Sequence, residues 1–232
     1  MERKMISVKD FLQKWFVSYD KKKQKHIRNS IYGIFCFFVF GSVMMQIELV
    51  RTMQMQVQVC EKMQKDCTGQ EIRVLLQEIT CFPVRQDAMG EETYFYENSY
   101  GQARTYGGKR RHEGIDIMTS NNQPGYFQIQ TVCDGVVEKT GWLPLGGYRV
   151  GIRSKAGYYY YYAHLDRYAK GIVPGKKVSA GELIGYMGNT GYGAEGTKGK
   201  FAVHLHFGIY APGEKSINPY YMLQYITKMQ NS

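Results

Sequence analysis

The sequence has few of the features that would place it quickly. Only one stretch of its 232 residues, 31–45, is membrane-like, fifteen mostly apolar positions without a charge, so no more than one membrane crossing is expected. No solenoid-type repeat is visible, which excludes the stacked-repeat architectures. The five cysteines (Cys36, Cys60, Cys67, Cys81, Cys133) lack metal or redox spacing; the pattern Cys60-x6-Cys67 carries neither signature. The helical zinc-protease pattern His-Glu-x-x-His is also missing, because Asp116 stands where the second histidine would be. Disorder is excluded in turn, since 44% hydrophobic and 22% charged residues are the proportions of a folding chain.

What is present begins with charge. The net charge of +10 would suit an acidic partner if it were spread evenly. Residues 1–30 instead hold nine Lys or Arg against three acids, which accounts for +6 and leaves +4 for all that follows. Nucleic-acid binding loses its main support, and none is expected. The uncharged run follows at once and is prolonged by Gln46 and Ile47 before Glu48, close to the roughly 20 residues a spanning helix needs. Basic residues on its amino side predict a cytoplasmic N-terminus and an extracytoplasmic remainder, in a single-pass cell-membrane protein. A cleaved signal peptide fits less well: the charged region is about twice the usual length, and no small-x-small site follows Met45. In an oxidising compartment Cys60 and Cys67 could close a small loop, but unpaired thiols are the expectation.

The chain therefore divides into a basic cytoplasmic tail (1–30), a transmembrane anchor (31–50), a linker or stalk (51–81), a catalytic or binding domain (82–222) and a C-terminal tail (223–232). The periodicity of 46–80 does not decide between strand and helix; a linker or stalk that can be helical is expected, and Pro83 would stop any helix near Thr80. From Phe82 the pattern becomes short apolar stretches between glycine turns, so the domain is expected to be mainly β and antiparallel. Strands are expected at 132–139, 148–153 and 158–164, the last two joined as a hairpin by 154–157, and again within 176–191 and 201–210. The tyrosine run 158–162 should send alternate rings to opposite sheet faces, and packing is its favoured role over a ligand platform.

Four of the five histidines lie in this domain. His112 and Asp116 form a His-x3-Asp pair that a bend at Gly114 can bring to one point, and both are ordinary zinc ligands. In a strand, the period of two puts His204 and His206 on one face while Leu205 and Phe207 face the core. His164 ends a strand and can project into the same cleft. Any one motif is weak; together they provide the three protein ligands and open position of a catalytic zinc site.

These residues, with Gly181-Glu-Leu-Ile-Gly185 and Gly188-Asn-Thr-Gly191 between the last two motifs, resemble the lysostaphin-like zinc peptidases of family M23 (LytM type) over roughly residues 82–222. The resemblance implies an antiparallel lysostaphin-like β-sheet domain with a groove across the metal. It implies zinc on His112, Asp116 and His206, and His164 and His204 as the catalytic pair. Its substrate would be the peptide part of bacterial peptidoglycan, and the complete five-residue set favours an active enzyme. Glu113 is read as structural. The other functions weighed are a non-cleaving wall-binding or partner-binding scaffold and a biotinyl- or lipoyl-like carrier, suggested by Val178-x-Ala-Gly-x-Leu-Ile-Gly185 but lacking a convincing acceptor lysine. Specificity is expected from the loops at 118–128, 140–147 and 192–200.

Overall fold

The basic and apolar segments at the amino end form one long helix, α1 (Val8–Met63), in the computed structural model, which describes residues 8–86, 92–105 and 108–230. Residues 1–7 of the basic tail lie outside the described residues. The chain divides into two units, Met1–Gln54 and Met55–Ser232. In the first, Phe35, Phe37, Phe38 and Phe40 are exposed, a surface that suits lipid rather than water. One helix among the described residues is long and apolar enough to cross a membrane, and it lies near the N-terminus.

The second unit opens on the last turns of α1, where Val59 and Met63 are buried. Helix α2 (Gly69–Glu78) follows, started by a capping box in which Thr68 and Glu71 each satisfy the other's backbone N–H. It buries Ile72 and Leu75, one turn apart on a single face. The segment read as a stalk thus supplies core residues, and Ile79 at its end is buried as well. The helix ends before Pro83, where the chain must become extended. All five cysteines are free thiols.

The strands are β1 (Tyr94–Tyr96), β2 (Ala103–Arg104), β3 (Arg110–Arg111), β4 (Ile115–Thr119), β5 (Gln128–Gln130), β6 (Gly135–Leu143), β7 (Gly147–Arg153), β8 (Tyr159–Tyr168), β9 (Lys177–Val178), β10 (Leu183–Met187), β11 (His204–Tyr210) and β12 (Ser216–Ile217). Ten of them form one antiparallel sheet with the path β1-β4-β11-β8-β7-β6-β9, in which β10 joins β8 to β5 and β12 lies on β11; β2 and β3 make a separate hairpin. The mainly β, antiparallel fold expected from the sequence is the fold observed. Helix α3 (Tyr220–Gln230) then buries Met222, Leu223, Tyr225 and Ile226, so most of the segment read as a tail is packed helix.

Side-chain alternation divides the sheet into two faces. Ile115 and Ile117 of β4, Leu205 and Phe207 of β11, and Tyr160 and Tyr162 of β8 are fully buried on one side. There the Tyr160 hydroxyl donates to Glu78 at 2.9 Å, and the Tyr162 hydroxyl accepts the Val132 N–H at 2.9 Å, which satisfies the two buried polar tips. The residues between them, Asp116, His206, Tyr159 and Tyr161, face the other way, into a groove.

Candidate metal centre

Asp116 and His206 come together through strand register. They are directly opposed partners on the central β4 and β11 strands, so both side chains leave the same face at the same height. His112 arrives from the loop before β4, where its backbone N–H donates to Gln102 O at 2.9 Å. The intervening Gly114 cannot be replaced without movement: a Cβ there would lie 2.5 Å from Phe207 O and 2.8 Å from the His206 ring.

The three donor atoms form a small triangle. His112 Nε2 is 3.0 Å from Asp116 Oδ1 and 2.8 Å from His206 Nδ1, and His206 Nδ1 is 3.1 Å from Asp116 Oδ1. Bonds of about 2.1 Å to a tetrahedral ion set donor separations of about 3.4 Å, so the triangle is near the size a bound ion requires. His112 is 2% exposed, and its Nδ1 lies 3.0 Å from Ser99 O, which can only accept. Arg104 Nη2, which can only donate, lies 3.0 Å from the same Nδ1, so this nitrogen meets both an acceptor and a donor, and a metal on Nε2 would require the proton on Nδ1. Asp116 divides its oxygens: Oδ1 meets the imidazoles, while Oδ2 accepts from Arg104 Nη2 at 2.6 Å. Burial opposes ionisation of this carboxyl, but the contacts from His112 and His206 outweigh it and hold the group well below the usual carboxylate range. Three convergent donors, one of them anionic, make His112, Asp116 and His206 a fitting ligand set for a metal ion.

His164 and His204 stand beside the triangle with ring centroids 4.6 Å apart, and His204 Nε2 is 3.8 Å from Asp116 Oδ1. Both are anchored alike: His164 Nδ1 donates to Thr190 O and His204 Nδ1 to Ala202 O, each at 2.8 Å. These backbone acceptors fix the tautomer and free each Nε2 lone pair. Burial pushes both imidazoles below their ordinary pKa, so both are neutral at pH 7.

His164 reaches the groove by a break in alternation. Tyr160 and Tyr162 face the core, so strict alternation would bury position 164 there too. Between Tyr148↔Leu165 and Val150↔Tyr162, however, β8 advances three residues for two on β7. The extra residue is a β-bulge, His164 takes a φ of 62°, and its ring turns to the groove side. The structure therefore brings all five residues expected from the sequence to one place.

Other groove residues were not foreseen. Tyr161 meets the His206 ring edge-on at 5.8 Å, and Tyr159 stacks on Tyr161 at 6.4 Å, so the outward members of the tyrosine run line the site while the inward ones pack. The alternation that placed His204 beside His206 held that signal too. Arg104, Arg110 and Arg111 come from the β2–β3 hairpin, which sequence periodicity did not mark. Of the three loops expected to confer specificity, 140–147 and 192–200 contribute Leu145 and Tyr192 to the groove of about 510 Å³. The 118–128 loop does not line it; Asn122 there accepts from Val203 N at 2.7 Å and braces the start of β11.

Residues 110–219 match the model of peptidase family M23. The chain is 44% identical over 141 residues to the L-Ala–D-Glu endopeptidase of Bacillus subtilis, a match covering 60% of this chain and 40% of that protein. It is 28% identical over 132 residues to the glycyl-glycine endopeptidase ALE-1 of Staphylococcus capitis, covering 53% of this chain and 33% of that one. A solved Ruminococcus gnavus structure, named for glycyl-glycine endopeptidase lytM, is 47% identical with a TM-score of 0.62, over 68% of this chain and 64% of that one. The chain thus spans less than half the length of the two curated relatives.

Proposed function

Because residues 110–219 are a peptidase family M23 domain, we propose that this chain is a membrane-anchored zinc metalloendopeptidase hydrolysing peptide bonds in bacterial peptidoglycan. The observation that carries the reading is the donor triangle of His112, Asp116 and His206 with two neutral, backbone-anchored imidazoles at its edge. The relatives are named for different bonds, so the family match does not choose the bond cut here.

Zinc held by these three residues would lower the pKa of a bound water to about 7 and polarise the scissile carbonyl. Either His164 or His204 accepts the attacking water's proton on Nε2, since Nδ1 is engaged by a backbone carbonyl. The resulting imidazolium gives that proton to the leaving amine, and the partner ring, whose Nε2 carries only a lone pair, can support charge on the carbonyl oxygen only once it is itself protonated there. Arg104 keeps Asp116 Oδ2 occupied and so leaves Oδ1 to the metal. The N-terminal helix would hold this chemistry at the membrane, with the basic segment on the cytoplasmic side.

The test uses the full chain in detergent with purified sacculi. Zinc is measured, released fragments are identified by mass spectrometry, and His206→Ala and His204→Ala are run alongside. About one zinc per chain is expected, with new amino termini that vanish in both variants while His204→Ala retains its metal. Bound zinc without cleavage would replace the enzyme with a wall-binding or partner-binding scaffold. Absence of metal would overturn the enzymatic account.

A further inference from the structure

The groove carries more positive charge than the metal site explains. Arg104 and Arg110 are cross-strand partners on the β2–β3 hairpin, both half-buried and both lining the groove. Like charges directly opposed on a hairpin destabilise it unless an anion lies between or beside them. Asp116 answers Arg104. Nothing among the described residues answers Arg110, whose Nε is buried without a hydrogen-bond partner. A buried unpaired donor in a native site requires an explanation.

The same imbalance continues across the groove. Arg149 of β7 lies on its wall and, among the described residues, its side chain bonds the Thr140 carbonyl, while Arg111 and Lys139 add two exposed cations, Lys139 with Glu138 4.0 Å away. Of the acids on the lining, Asp116 is engaged by Arg104, and Glu214 is engaged by Arg153 at 2.9 Å. Glu113 is exposed and, among the described residues, accepts from the Tyr210 hydroxyl at 3.3 Å. Guanidinium groups present paired N–H donors that match a carboxylate, and a groove wall raises the strength of that match above its value in open water.

We propose that Arg110 and Arg149 are specificity-determining residues that bind free carboxylates of the peptide lying in the groove, so that the preferred substrate is an acidic stem peptide rather than an uncharged bridge. The inference rests on the peptidase reading of the same site but concerns recognition, which can be measured separately from cleavage. Arg110 lines the groove from the β2–β3 hairpin and Arg149 lines it from β7. A peptide carboxylate at Arg110 would also relieve its repulsion with Arg104.

The experiment uses muropeptides released from sacculi by a muramidase, and the same preparation after its carboxylates are converted to carboxamides. Binding to the metal-loaded full chain in detergent is measured with His204→Ala, which should not turn the peptides over. Cleavage is followed with the unmodified chain. The acidic peptides are expected to bind, and to be cleaved by kcat/KM, about tenfold or more better than the amides. Arg110→Gln or Arg149→Gln should bring that ratio to within about twofold, whereas Lys170→Gln, an exposed charge outside the groove, should keep it. Equal binding of acid and amide by the unsubstituted arginine site would overturn the inference with no arginine variant needed, as would a preference that survives both substitutions. Preferential binding without cleavage of either preparation would retain the inference and overturn the endopeptidase reading.

Discussion

Each donor at the metal centre is held in place by neighbours outside the triangle. Ser99 O fixes His112, Arg104 occupies the second oxygen of Asp116, and Thr190 O and Ala202 O orient the flanking imidazoles. Gly114 belongs to the same apparatus although it carries no side chain, because the His206 ring and Phe207 O occupy the space a Cβ would take. Gly114→Ala should therefore cost about 1–3 kcal/mol through overpacking. It should also weaken metal retention, since relief requires His206 to move. Thermal unfolding with and without added zinc separates the two effects: a loss confined to the metal-free protein would contradict the coupling.

At the level of elements, most of the site was legible because β-strand alternation is local. One period of two predicts that His204 and His206 share a face and that Leu205 and Phe207 pack, and both hold. The bulge that turns His164 outward is a register property of three strands, so no local pattern could have revealed it. The packing of α2 was hidden for a similar reason, although its start was written plainly as Thr68-Gly-Gln-Glu71. Thr68→Ala removes that cap and should cost about 1 kcal/mol by urea unfolding, and Leu75→Ala about 2–5 kcal/mol. If 69–78 were only a stalk, neither change would register. The β6–β7 ladder offers a pH test. Arg153 donates to both oxygens of Glu138, at 2.5 and 3.0 Å, and this hydrogen bonding lowers the Glu138 pKa below its ordinary 4.5. A depressed carboxyl pKa contributes stability above the unfolded value and loses it as pH falls through the folded one. The pair is partly exposed, so Glu138→Gln should cost less than about 1 kcal/mol at pH 7 and almost nothing once pH is well below 4. An equal loss at both pH values would assign the effect to packing.

For the whole molecule, the decisive boundary is where the folded unit begins. Sequence composition changes at Phe82, which suggests a domain starting there, but the core does not respect that change. Val59, Met63, Ile72, Leu75 and Ile79 are all buried, and they lie with the β domain in the unit that starts at Met55. Gln56 Nε2 donates to the Tyr225 hydroxyl, Lys215 Nζ donates to Asp66 O, and Glu78 accepts from Tyr160, so the helical segment also completes polar contacts at three separate places. Burying each of those five apolar side chains is worth about 1.5–3 kcal/mol. Their sum is comparable to the entire stability of about 5–15 kcal/mol of a typical domain. A fragment of residues 82–232 would lose that contribution and leave the Tyr160 and Tyr225 hydroxyls without Glu78 and Gln56. It should aggregate or unfold without cooperativity, whereas residues 55–232, freed of the apolar part of α1, should be soluble and unfold in a single transition. Circular dichroism and calorimetry on the two fragments decide the matter. A cooperative 82–232 fragment as stable as 55–232 would return residues 55–81 to the role of a stalk.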